Sequence, residues 1–148
     1  MATTSIRWAL AKHLIGIVRD APAATGVLIE PGWPGDKHIK REMLWIDEIA
    51  DTDASVPVMT NGRTHRDDMF TIVVLSRVAG RNTLDETMTR LEELGALVED
   101  QIADSPTLDD FGSLLSADFA ITAMTSGRTP EGPLGYARFE VRCHSRLT

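Results

Sequence analysis

Several side chains in the sequence could bind a metal, but their spacing gives them no shared site. The four histidines, His13, His38, His65 and His144, lie in separate parts of the chain. Zinc sites usually draw on pairs of Cys or His a few residues apart, and this sequence contains no such pair. We therefore expect surface or partly buried histidines, no metal and no cofactor.

The densest polar cluster is His65-Arg66-Asp67-Asp68, whose adjacent carboxylates could hold a hard cation. If these residues begin a strand, Asp67 and Asp68 point to opposite faces of the sheet. A solvated start of a strand is therefore the preferred interpretation, because charged residues gather in such exposed segments.

Cys143 is the only cysteine, and it falls on the apolar side of the last predicted strand. A buried structural thiol is expected there rather than a nucleophile. The sequence also has no Gly-x-Ser-x-Gly elbow and no phosphate loop. We therefore predict that the chain is not an enzyme and has no catalytic residues.

Negative charge is concentrated in one predicted helix. The 148-residue chain has a net charge of −7, the opposite sign from proteins that bind nucleic acid through its phosphates. The segment from Leu84 to Asp104 holds seven acidic residues and one arginine, a net charge of −6. A solvated face explains this pattern, and so does a surface that repels DNA or meets a basic partner. Glu92, Glu93 and Glu99 are the candidate residues of such an acidic face.

The apolar spacing predicts two main helices and several short strands. The helices are Thr4–Arg19, with a cap from Thr3, Thr4 or Ser5, and Thr83–Asp104, which opens with the capping box Thr83-Leu84-Asp85-Glu86. Strands are predicted at Gly26–Glu30, Glu42–Ile49, Val56–Thr60, Met69–Ala79, Ala117–Thr125 and Ala137–Leu147, with a long loop over Ser126–Gly135. This order predicts a single α+β domain over residues 1–148, with an antiparallel or mixed sheet packed against the two helices.

Apolar residues also predict which faces are buried and where partners bind. The buried stripe of the second helix is expected to comprise Leu84, Met88, Leu91, Leu94 (or Gly95), Val98 and Ile102. Ala117, Phe119, Ile121 and Ala123 should share one face of their strand. The strands around Trp45 and Val74 are apolar on both faces, which fits either a partner interface or a cover of helices and loops. Trp33, Trp45, Arg128 and Glu131 are the candidate partner interface.

The layout of the chain resembles the tail-terminator proteins of long-tailed bacteriophages, also known as minor tail or tail-completion proteins. The resemblance runs from the first helix, which ends at Ala21-Pro22, to the last strand. The other segments that carry it are the polar Arg63–Asp68 before Phe70-Thr71-Ile72-Val73-Val74-Leu75, the capped helix from Thr83, the Asp104-Ser105-Pro106-Thr107-Leu108 segment and the strand Ala137–Leu147.

The resemblance implies a structural virion protein, assembled in the host cytoplasm. Members of this family form a ring, usually of six subunits, that stops growth of the tail tube and joins it to the head. The implied partners are further copies of the chain, the tail tube protein and the head-tail connector, with DNA passing through without specific binding. Reversing the charges of Glu92, Glu93 and Glu99 should then impair DNA delivery and leave tail length normal. No membrane partner is expected, since no apolar run reaches about 18 residues.

Two other interpretations stay open. One is a head-completion or neck protein at the same junction, which would bind the connector without capping tubes. The other is a dimeric α+β ligand-binding domain, which would need a closed apolar pocket.

Overall fold

A computed structural model describes residues 6–35, 40–51, 57–60, 63–105, 107–108 and 114–147, and at 57–60, 63–67, 115, 146 and 147 it describes the backbone only. The helices are α1 (Arg7–Asp20) and α2 (Leu84–Asp104), with a short 3-10 turn at Pro22–Ala24. The strands are β1 (Leu28–Glu30), β2 (Glu42–Asp51), β3 (Pro57–Thr60), β4 (Arg63–Ala79), β5 (Leu114–Thr129) and β6 (Gly132–Leu147). The predicted helices and strands are therefore present, with shifted boundaries.

The strands form one six-stranded mixed sheet in the order β1-β2-β4-β6-β5, and β3 pairs with the first part of β4. β1 runs parallel to β2, and every other pairing is antiparallel. The uncharged centre of β4 pairs on one side with β2 and on the other with β6. The predicted α+β fold, with a mixed sheet packed against two helices, is confirmed.

Both helices pack on the same face of the sheet. Leu10, Leu14 and Val18 of α1 share one buried core with Leu91 and Val98 of α2. The predicted capping of α2 is confirmed, because Thr83 Oγ1 accepts a hydrogen bond from the Glu86 backbone nitrogen at 3.1 Å. The prediction that Leu84 belongs to the buried stripe is wrong, since its side chain is 48% exposed at the first turn of the helix.

The structure describes the end of α1 but not the residues predicted to cap its start. The helix begins at Arg7 after Ile6, which makes no side-chain cap, and the predicted caps Thr3, Thr4 and Ser5 lie outside the described residues. At the other end Ala21 is extended, with φ −68° and ψ 139°. The predicted end before Pro22 is therefore confirmed, since a residue that precedes proline avoids helical geometry.

The second face of the sheet is partly covered by the loop after β1. Met43 and Trp45 of β2 point away from the helices and are nevertheless buried. The ring of Trp33 packs edge-on against Trp45, with centroids 4.9 Å apart, and the Lys40 backbone nitrogen lies 3.3 Å from Met43 Sδ. Cover by a loop is therefore the correct alternative for the apolar surface around Trp45.

The β5–β6 hairpin differs most from the prediction. Residues 126–135 were expected to form a long loop, but β5 continues to Thr129 and β6 begins at Gly132. The turn between the two strands is tight, and Gly132 adopts φ +128° there, a conformation that glycine tolerates. A register shift between Ile121 and Ala123 also moves Ala123 to the face opposite Ile121, so the expected shared face is wrong at that residue.

Candidate functional site

The residues singled out for metal or covalent chemistry do not converge. His13 Nε2 lies 3.0 Å from the carbonyl oxygen of Leu108, whereas His144 is partly buried in β6. His38 lies outside the described residues, and only the backbone of His65 is described. Over the described part of the chain, no three His, Cys, Asp or Glu side chains are grouped so that they could hold a metal ion.

Asp68 has a structural partner that the sequence pattern did not reveal. It was expected in a solvated segment, but it is only 3% exposed, so that expectation is wrong. Arg7 donates to it from Nη2 to Oδ1 at 2.6 Å and from Nε to Oδ2 at 3.1 Å, and it also pairs with Asp51. The hydrogen bond to Asp68 is the main cause of a raised pKa of Arg7. The guanidinium also lies 5.2 Å from the centre of the Phe70 ring, so the pair fixes the start of α1 against β2 and β4.

Cys143 is buried in the core, as the alternation of β6 predicts. Burial, with a smaller effect of the Asp118 charge, raises the pKa of its thiol from 9.0 to about 12. A thiol with that pKa stays protonated at neutral pH, which makes it a poor nucleophile.

The four residues of the predicted partner interface fall into two separate surfaces. Trp33 is 45% exposed, but Trp45 beneath it is only 6% exposed, so a direct partner contact by Trp45 is wrong in this fold. Arg128 and Glu131 are exposed at the end of the β5–β6 hairpin. β4 and β6 separate β2 from β5, a distance of about 14 Å at the usual strand spacing.

The acidic residues of α2 lie on its outer side, away from the core. All seven are exposed, and within the described part of the chain only Glu93 forms an ion pair, with Arg90 Nη1 at 3.0 Å. Arg90 is held chiefly by Glu42 of β2, with Nε and Oε2 2.6 Å apart. The other six acids have no ion-pair partner among the described residues. The negative charge of this surface is thus almost uncompensated.

Seven-residue spacing arranges these acids in two lines along α2. Because seven residues make nearly two helical turns, Asp85, Glu92 and Glu99 form one line and Glu86, Glu93 and Asp100 form the other. The first line lies on the β5 side, since Glu92 and Glu99 are three residues before and four residues after Gly95. A Cβ at Gly95 would lie 3.1 Å from Ile121 Cδ1. The second line borders a groove beside the 3-10 turn.

That groove has a volume of 480 Å³ and is lined by Pro22, Leu94 and Leu97, with Glu93 and Asp100 among its polar residues. It is open to solvent along the outer side of α2. A small-molecule site normally buries most of its ligand. The groove is therefore not the closed apolar pocket that the ligand-binding interpretation requires.

The two edge strands of the sheet, β1 and β5, differ in length and in how they are covered. β1 has only three residues, and Arg19 donates to the carbonyl oxygen of Ile29 from Nη2 at 2.7 Å and from Nε at 3.0 Å. β5 has sixteen residues and pairs only with β6 among the described strands. Its only charged residues are Asp118 and Arg128. An edge strand of this length with so little charge is open to pairing with another chain.

Exposed and partly buried apolar side chains lie beside this open edge. Ile121 is 40% exposed, and Met124 is partly buried on the same side of β5. Leu84 and the partly buried Met88 extend the strip along α2 towards the end of β5. We call the outer edge of β5 together with Leu84, Met88, Ile121 and Met124 the β5 edge surface.

Sequence reasoning identified the acidic helix but missed its position beside this edge. The useful signals were Gly95, which allows α2 to lie close to β5, and the near absence of charge between Leu114 and Thr129. No described helix is both long enough and apolar enough to span a bilayer. Comparison with models of known protein families gives no match, and comparison with curated proteins gives none either.

Proposed function

We propose that this chain is a structural virion protein that forms a ring at the head-proximal end of a bacteriophage tail tube. In this role the ring ends tube growth and provides the surface to which the head is joined. Its partners are further copies of the chain, the tube protein and the head-tail connector, and no catalytic step is involved.

The observation that carries this proposal is the open edge of β5. Proteins that act alone usually shorten, charge or cover the edges of their sheets. Here β1 is short and capped by Arg19, whereas β5 is long, almost uncharged and flanked by exposed apolar residues. Such an edge favours a protein whose working state is an assembly, and it gives a ring a place to bind a neighbouring protein of the particle.

The acidic outer side of α2 agrees with a role beside DNA that must pass without sticking. Unpaired carboxylates repel phosphates, and the repulsion is strongest where water-filled space is narrow. Of the candidate lumen residues, Glu92 and Glu99 lie on the β5 side and Glu93 on the other. We assign the line that contains Glu93 and Asp100, together with Asp104, to the lumen of the ring.

The test is native mass over a rising concentration series, with negative-stain images of the largest species. We expect a closed ring near six times 16.2 kDa. Trp33→Ala should shift ring formation to higher concentration, because large exposed aromatic residues dominate many interfaces. Trp8→Ala is the matched control, since Trp8 is exposed to a similar degree on α1.

Each result leads to a different conclusion. A ring that also stops growth of tail tubes supports the terminator role, whereas a ring that binds the connector but leaves tube growth unchanged points to the neck protein. A tight dimer that never grows contradicts both and favours the ligand-binding domain.

A further inference from the structure

We infer that the β5 edge surface binds an extended, basic segment of another protein, with Lys or Arg at alternate positions, as an added strand of the sheet. The inference rests on the proposed function, in that the donor is a neighbouring protein of the particle. It goes further by defining the chemistry of the partner segment.

The backbone of β5 supplies the first part of the site. One side of the strand pairs with β6 over residues 114–129, while the other side has no partner strand in the described part of the chain. The register shifts at 114–116 and 121–123 leave two uninterrupted runs, from Ser116 to Ile121 and from Ala123 to Thr129. An extended segment laid along these runs, across Ile121, would satisfy their free N–H and C=O groups.

The apolar strip supplies the second part. Side chains of an added strand point alternately to the two faces of the sheet. Those on the helix side would lie against Ile121 and Met124 and close to Met88. The aliphatic stems of Lys and Arg suit this position, because they cover apolar surface while the charged end reaches outward.

The acidic line of α2 supplies the third part and determines the sign of the partner's charge. Glu92 and Glu99 lie on the helix surface above and below Gly95, which contacts Ile121. Neither carboxylate has an ion-pair partner among the described residues. A Lys or Arg whose stem rests on Ile121 would therefore place its charge near Glu92 or Glu99.

The β1–β2 edge of a second copy fits this surface poorly. The part of β2 beyond its pairing with β1 contains Asp47, Glu48 and Asp51, and these residues would add negative charge beside Glu92 and Glu99. β1 is closed to an added strand, because Arg19 occupies the carbonyl oxygen of Ile29. Charge complementarity thus favours a basic segment of a different protein.

The experiment uses the full chain and a fluorescent eight-residue peptide of alternating Lys and Thr, with binding followed by anisotropy. We expect saturable binding that weakens as salt is raised, and no binding of the matching Glu–Thr peptide. Glu92→Lys with Glu99→Lys should reduce affinity for the peptide at least about fivefold. Two attractions between carboxylates and peptide lysines at the edge of the site would become repulsions. Asp100→Lys with Asp104→Lys makes the same change of net charge on the other side of α2, and should alter affinity less than twofold.

Two N-methylated peptides separate strand addition from simple charge attraction. One is methylated at every Thr nitrogen and the other at every Lys nitrogen, so only one of them loses the N–H groups that face β5. One methylated peptide should bind like the parent and the other should not. Equal binding of both, equal effects of the two double variants, or assembly of copies through β5 would overturn the inference. If rings form normally but do not bind the Lys–Thr peptide, the inference is wrong and the proposed function is unaffected.

Discussion

At the scale of single residues, the environment of Cys143 links the core to the pH dependence of stability. The thiol is buried beside the β5 pairing, and burial raises its pKa from 9.0 to about 12. The folded state therefore keeps its proton at a pH where the unfolded chain releases it. Because ionisation then favours the unfolded state, the stability supplied by this group is complete below about pH 9 and falls between pH 9 and 12.

We expect ionisation of this thiol alone to lower the free energy of unfolding by roughly 2 kcal/mol at about pH 10.5 relative to neutral pH, since one pKa unit corresponds to about 1.4 kcal/mol. Urea unfolding of the natural chain and of Cys143→Ala at neutral pH and at about pH 10.5 measures the effect. The variant should be less stable than the natural chain at neutral pH, and it should lose less stability when the pH is raised. Parallel losses in the two proteins would show that the thiol does not titrate in this way.

The buried ion pair was harder to predict from the sequence than the burial of apolar residues. The alternation of β6 correctly placed Cys143, Phe139 and Val141 in the core. The Arg7–Asp68 pair joins residues far apart in sequence, and its burial depends on where α1 crosses the sheet. Neither periodicity nor composition carries that information, so Asp68 was predicted to be solvated.

At the scale of elements, close contact between α2 and the sheet depends on Gly135. A Cβ built there would lie 2.7 Å from Leu91 Cδ1 and 3.0 Å from Thr87 Cγ2, and both of these side chains are fully buried. Gly16 in α1 is the opposite case, because a Cβ added to it would have no atom within 4 Å. The same substitution at the two sites should therefore have opposite effects.

Gly135→Ala should destabilise the fold by about 1 to 3 kcal/mol, as overpacked cores do. Gly16→Ala should stabilise it by about 0.5 to 1 kcal/mol, because alanine is the better helix former. Chemical denaturation of both variants against the natural chain provides the comparison. A neutral Gly135→Ala would mean that α2 does not lie this close to β6.

Element types were more predictable than element ends. Capping chemistry set the start of α2 at Thr83, and the sequence before Pro22 set the end of α1. The β5–β6 hairpin extends through a segment rich in glycine and proline because each strand supports the other, a tertiary effect that local propensity misses. The register shift after Ile121 likewise has no local signature.

At the scale of the whole molecule, charge is distributed unevenly around the fold. The outer side of α2 is negative and almost uncompensated, whereas on the opposite face of the sheet Arg138 and Arg142 lie close to Glu48 and Glu140. A uniform need for hydration would not place the excess on one helix. The sequence revealed the excess, and the fold was needed to show that α2 presents it outward.

Under the proposed function, Asp100→Lys with Asp104→Lys should lower DNA delivery by phage particles while tail length, seen by electron microscopy, stays normal. The reason is that lysines in the lumen would attract DNA instead of repelling it. Asp47→Lys with Glu48→Lys changes net charge equally at exposed residues of β2 and serves as the control. Equal infectivity of the two variants would argue against an acidic lumen.

The pairing of β4 with β6 has a consequence for how the chain is made. During synthesis β4 leaves the ribosome before α2 and β5. The side of β4 that pairs with β6 nevertheless stays unpaired at Val74 until Phe139 has been synthesised. At about 5 to 20 residues per second, the uncharged segment Phe70–Leu75 remains a half-paired strand for several seconds. The charged residues of Arg63–Asp68 immediately precede it and discourage pairing with other nascent chains. The yield of folded protein will therefore depend on how well a host protects this strand while the rest of the sheet is still being translated.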